Sequence, residues 1–182
     1  MELIKSNQNL KILKILALVF LSSIALTISA KLKIPFYPVP MTMQTFVVLF
    51  LGIVLGPKIG LLTISLYLFE GIFGLPVFAG TPEKGLGLVY FTGPTMGYLF
   101  GFLVAVFIAG FLNFDKNIFL KFILITTAVS TIYIFGVPWL ALLKGWQVAY
   151  VWGIKKFLLA ELFKICLLTV ISKQSLKLRK FI

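Results

Sequence analysis

The chain has 182 residues, of which 60% are hydrophobic, 15% aromatic and only 12% charged. A soluble domain of this length carries about 25% charged residues, so the composition excludes a water-soluble globular protein and assigns the chain to lipid. With no histidine and one cysteine, Cys166, the usual general base, a thiolate metal cage and an internal disulfide are missing, so neither metal nor catalytic cofactor is expected.

The net charge of +12 comes mainly from basic residues that flank apolar runs. That pattern reads as a topology signal and not as a nucleic-acid footprint. In chain order, the uncharged run between Lys14 and Lys31 predicts a first span over 12–30. A signal peptide is the rival reading, but Ile28-Ser29-Ala30 is a poor cleavage site and further spans follow.

Three prolines in Ile34-Pro35-Phe36-Tyr37-Pro38-Val39-Pro40 forbid a helix and predict an extended loop at the interface or dipping into a cavity. Helical pattern then predicts two short spans, 41–55 and 59–73, separated by Gly56-Pro57-Lys58. Each reaches about 22 Å of a roughly 30 Å apolar core, so the flanking loops must complete the crossing. Interrupted spans of this kind are where transporters place binding sites.

The stretch 74–93, rich in glycine around Glu83 and Lys84, predicts a long loop, either a lid or a plain connector. A fourth span over 94–113 carries Gly93, Gly97 and Gly101 at four-residue spacing, a face for close helix packing. Asp115, Lys116 and Lys121 mark the next turn, and a fifth span runs over 119–143, with Pro138 expected to kink or end it. A sixth spans 153–172, before a basic tail.

The fold class is therefore all-α, a single polytopic membrane domain over 1–182 with six transmembrane helices. Six spans put both termini on one side. That side collects ten basic residues against six on the other, so both termini are expected to be cytoplasmic.

Three ionisable residues fall inside apolar runs: Glu70 in span three, and Glu161 with Lys164 in span six. Each costs about 2.5–3.5 kcal/mol at the bilayer centre, so an internal polar cavity is expected to compensate. Helix rise places all three at similar depth in the outer half, and Glu161 and Lys164, three residues apart, share a face. A carboxylate beside an ammonium suits a ligand with N–H donors and an anionic group, the alternative being a neutralising internal ion pair. Glu70 either joins that site or meets water near a helix end.

Tyr37, Phe78, Tyr90, Trp139 and Tyr98 supply rings on the outer side, as walls of a pocket or as an interfacial belt. No phosphate-binding G-x-x-x-x-G-K-[ST] motif occurs. An ATP-driven transporter would need its motor on another chain.

Several segments together resemble the BioY family, the biotin-binding S components of energy-coupling factor transporters. They are Pro38-Val39-Pro40-Met41-Thr42-Met43-Gln44-Thr45, Leu55-Gly56-Pro57-Lys58, Leu66-Tyr67, Gly74-Leu75-Pro76-Val77-Phe78-Ala79-Gly80, Gly93-Pro94-Thr95-Met96-Gly97-Tyr98 and Gly136-Val137-Pro138-Trp139. The resemblance covers about residues 20 to 170.

It implies a six-helix subunit of a bacterial cell (inner) membrane that captures biotin at its outer face and topples to release it inward. Its partners would be a transmembrane coupling subunit of the EcfT type and two cytoplasmic ATPases. Glu161 and Lys164 match the family's acid and lysine near the ligand, although the acid is usually aspartate, and Gly80 stands where some members carry asparagine. On this resemblance Glu161 accepts from a ureido N–H and Lys164 donates to the ureido oxygen or the carboxylate, with Gln44 and Tyr98 adding neutral hydrogen bonds. Ser23 and Thr27 match the family's small residues that contact the coupling subunit. A standalone proton-coupled carrier using Glu70 or Glu161, and an intramembrane lipid enzyme, are the alternative functions.

Overall fold

In a computed structural model of the chain, residues 2–112 and 117–179 are described, with side chains from residue 9 onward. The predicted turn at Asp115 and Lys116, the end of span four at Asn113, and Lys5 and Lys180 in the charge count lie outside that description. Helix α1, Glu2–Lys31, begins well before the expected residue 12. Its Leu13, Leu16, Leu21 and Ile28 are each more than half exposed, and among the helices it packs chiefly on α2. A helix with so much apolar surface uncovered is at rest only in lipid.

The proline segment departs from expectation at its end. Strand β1, Lys33–Ile34, pairs antiparallel with β2, Met41–Thr42, in the register Lys33↔Thr42 and Ile34↔Met41. Helix α2 therefore starts at Gln44 and not at Met41. All three prolines lie between the strands, where their missing N–H groups cost no ladder bond.

Helix α2, Gln44–Ile72, is interrupted at Gly56, whose φ of 77° and ψ of 176° are non-helical. Gln44 Nε2 lies 2.7 Å from the Tyr67 hydroxyl, whereas a continuous helix would hold residues 44 and 67 about 34 Å apart. The chain reverses at Gly56 into two antiparallel arms, 44–55 and 57–72, as the Gly56-Pro57 signal predicted. Pro57 opens the second arm, where a first-turn residue needs no N–H.

Glycines let the other helices close on this hairpin. A Cβ added at Gly52 would stand 2.6 Å from the Val106 carbonyl oxygen of α4, Met96–Phe111. Two of the three predicted ridge glycines pack against α5, Ile118–Lys144: a Cβ at Gly97 would meet the Phe135 oxygen at 2.5 Å, and one at Gly101 the Ile132 Cα at 2.7 Å, whereas Gly93 precedes α4 and would meet only the Tyr90 oxygen. Pro138 does not end α5, which continues to Lys144 before Gly145.

Between α2 and α4 the loop carries a short helix α3, Leu88–Phe91. After α5, the chain runs through α6, Trp146–Tyr150, a π-helical turn, Val151–Lys155, and α7, Leu158–Leu178. The sixth span thus has a break at 156–157 that periodicity did not predict. Helix α7 packs against both α2 and α5, which turns one face of α7 toward the interior. By length and composition Asn9–Lys31, Gln44–Ile72 and Ile118–Lys144 are apolar enough to cross a membrane, and α4 is a shorter apolar helix.

Candidate functional site

The π-helical turn and the break after it set where α7 begins, and so place Glu161 in the first turn of α7 and Lys164 one turn on. Each is only 5% exposed. Lys164 Nζ lies 2.7 Å from Glu161 Oε1, and donates to the Thr42 carbonyl at 2.6 Å and to Thr45 Oγ1 at 3.0 Å. Its three N–H donors therefore have three acceptors. Thr45 Oγ1 in turn donates to Glu161 Oε1 at 2.9 Å.

The outcome is asymmetric. Glu161 Oε1 receives both donors, while Oε2 is buried without a hydrogen-bond partner. A buried carboxylate oxygen left bare is costly and is satisfied by any N–H donor brought beside it.

Glu161 borders a cavity of about 50 Å³, room for a few water molecules. Its walls include Gln44, Thr45, Tyr98 and Tyr133 from the helices, Phe157 from the break before α7, and Val39, Pro40 and Ala79 from the two loops. On its other side Glu161, with Tyr133, borders an open apolar groove of about 720 Å³ between α5 and α7, whose lining holds no cation among the described residues.

Of the residues predicted for the site, Glu161, Gln44 and Tyr98 line the cavity and Lys164 adjoins it through the ion pair. Gln44 donates to the Tyr67 hydroxyl, which donates to the Val77 carbonyl at 3.1 Å. The Tyr98 ring lies against Gly136, and its hydroxyl donates to the Gly153 carbonyl at 3.1 Å. That proton holds the π-helical turn in place and is not free for a ligand.

Three others lie away from the cavity. Phe78 is buried within the loop, stacked on Tyr90 at 4.7 Å and edge-on to Tyr67 at 5.3 Å. Trp139 Nε1 donates to the Gly93 carbonyl at 2.9 Å, tying α5 to the start of α4. Glu70 accepts from Ser23 Oγ at 2.8 Å and so links α2 to α1.

That last bond also corrects the reading of α1. Ser23, expected at a coupling-subunit interface, is buried within the chain, with its hydroxyl against Glu70. Thr27, half-buried, donates to the Ser23 carbonyl. Thr42, Thr45, Thr95 and Tyr133 are polar cavity residues that charge and periodicity missed. Thr45 stands in the Thr42-Met43-Gln44-Thr45 motif, but nothing local shows that its hydroxyl meets an ion pair on α7.

The two loops over the cavity are clasped by lysines. Lys31 Nζ donates to the carbonyls of Phe78 and Thr81 and to Thr81 Oγ1, and Lys33 Nζ donates to the Ala79 carbonyl. Lys84 returns the contact by donating to the Pro38 carbonyl at 2.8 Å. Gly80 matters here, since a Cβ on it would stand 2.7 Å from Lys84 Cδ. The space of a side chain at 80 is taken by the lysine stem.

The described residues form a helical bundle with a buried acid–lysine pair under clasped loops. The fold is similar to the crystal structure of the S-component for biotin from an ECF-type ABC transporter, with a TM-score of 0.78 and 26% identity over 93% of this chain and 94% of that one. A sequence model of the BioY family matches residues 5–181, and the chain belongs to that family. Among its relatives, the probable biotin transporter BioY of Pyrococcus horikoshii is 36% identical over 83% of this chain and 90% of its own length. The biotin transporter BioY of Thermotoga maritima is 41% identical over 62% of this chain and 65% of its own.

Proposed function

We propose that this chain is a biotin-capturing S component, a transport subunit and not an enzyme. The observation that carries the reading is the bare, buried Oε2 of Glu161 beside a cavity. Biotin's ureido ring offers N–H donors of the kind that oxygen needs, and its thiophane ring suits the apolar walls. Lys164, with its donors spent on Thr42, Thr45 and Glu161, orients the carboxylate.

The cavity must widen to admit a bicyclic vitamin. It does so on the side of Val39, Pro40 and Ala79, since loops move at lower cost than packed helices. Six membrane crossings follow from α1, the two arms of α2, α4, α5 and α7. Both termini then face the cytoplasm of a cell membrane by the excess of basic residues on their side. Uptake would be driven by an EcfT-type coupling subunit and two ATPases.

The test is binding of labelled biotin to the purified chain in detergent. Wild-type protein is expected to bind and Glu161→Ala to lose at least about tenfold in affinity, the cost of one charge-assisted hydrogen bond. Wild-type affinity in Glu161→Ala removes the site. Vesicle uptake with and without ATPases then separates this reading from a proton-coupled carrier.

A further inference from the structure

The proposed site leaves a charge unaccounted for. Glu161 and Lys164 neutralise each other, so a ligand that brings an N–H donor at one end and a carboxylate at the other adds one net negative charge. A carboxylate leaving water at the membrane interface needs a cation with free donors. The groove between α5 and α7 offers none among the described residues.

The cations on the loop side differ in what they still have to give. Lys31, Lys33 and Lys84 spend donors on loop carbonyls. Lys156 Nζ has no hydrogen-bond acceptor among the described residues. It is nevertheless held, 3.8 Å from the centroid of the Trp152 ring and 5.4 Å from that of Phe36. Aromatic faces hold an ammonium by its charge and leave its N–H groups unspent. Lys144 and Lys155 also lack acceptors among the described residues, but no ring or cavity wall adjoins them in this way.

Position supplies the second argument. Phe157, the residue after Lys156, is a wall of the cavity, and Phe36 packs edge-on against it with ring centroids 6.3 Å apart. Phe36 belongs to the same loop as Val39 and Pro40, so the movement that widens the cavity also shifts the ring that touches both the cavity wall Phe157 and the exposed Lys156. Lys156 stands in the break that precedes α7, five residues before Glu161.

We infer that Lys156 is the carboxylate-binding cation of the site, receiving the end of the ligand remote from Glu161. This rests on the proposed biotin reading and adds a specificity determinant to it: a preference for the free acid over its neutral amide. Phe36 covers the ammonium in the closed arrangement and gives way to the carboxylate.

The experiment measures binding of biotin and of biotinamide to the full chain in detergent, for wild type, Lys156→Gln and Lys155→Gln. Wild type is expected to prefer biotin by about tenfold or more, the value of one charge-assisted contact. Lys156→Gln should lose that preference while binding biotinamide as wild type does, and Lys155→Gln should keep it. Should Lys156→Gln bind neither compound, Lys156→Arg decides, and retained preference supports the assignment.

The inference is overturned if wild type does not discriminate, if Lys156→Gln still discriminates, if Lys155→Gln loses the preference equally, or if Lys156→Arg loses it. If wild type binds neither compound, the biotin reading itself has failed and takes this one with it.

Discussion

Thr45 Oγ1 lies 2.9 Å from Glu161 Oε1 and 3.0 Å from Lys164 Nζ. A single hydroxyl at the start of α2 thus accepts from the base and donates to the acid of α7. Because it holds Oε1, it leaves Oε2 as the oxygen without a donor. Thr45→Val keeps the shape and removes both bonds, so binding of biotin should weaken by about tenfold, while Thr45→Ser stays near wild type. Titration of labelled biotin against both variants checks this, and equal affinities would remove Thr45 from the site.

Stability and binding are expected to separate at the ion pair. Lys164→Gln alone strands a buried carboxylate and should destabilise the fold by about 3–5 kcal/mol. Adding Glu161→Gln removes the stranded charge and should recover most of that loss. The double variant still lacks the anionic Oε2, so it should melt near wild type in detergent yet bind poorly. Thermal unfolding and ligand titration on the same samples give the two readouts.

Burial holds the Lys84 ammonium below its ordinary pKa of 10.5; Lys33 adds to the shift and Glu83 opposes it. A folded pKa below the unfolded one means that the unfolded chain binds more protons in the interval between them. Stability therefore rises with pH across that alkaline interval, up to 10.5, and the penalty is fully present below it. NMR titration of the Lys84 Nζ signal should show the depressed value. In Lys84→Met the corresponding rise of melting temperature with pH should diminish.

Gly56 turns the α2 hairpin at a φ of +77°, and a Cβ there would also run into the Arg179 guanidinium. Gly56→Ala is expected to cost about 1–3 kcal/mol from backbone strain alone, because φ 77° with ψ 176° is a region essentially only glycine adopts, with the clash in addition. Combining it with Arg179→Ala removes the clash and leaves the strain. Melting of the two variants should show partial recovery, and complete recovery would mean that the backbone is not strained.

The bundle was readable because its signals are local. The reversal at Gly56-Pro57 follows from a residue free to take positive φ beside one without an N–H, and the α4–α5 contact follows from Gly97 and Gly101 one turn apart. The same holds for Glu161 and Lys164, since three-residue spacing alone puts them on one face of a helix. Local signals also misled where a distant partner decided the outcome. Met41 has helical neighbours, yet it pairs with Ile34 as a strand.

From the sequence alone one learns that this chain lives in lipid, where it breaks, and that its last apolar run carries an acid and a base that need an interior. Tertiary structure decided which oxygen of Glu161 stays bare, that Lys164 has no donor to spare, and that Glu70 partners Ser23 and stands apart from the site. Those outcomes depend on hydrogen bonds between residues 47 to 122 positions apart. The pattern of apolar residues sets which face of a helix turns inward. Only the packed bundle sets which groups meet there.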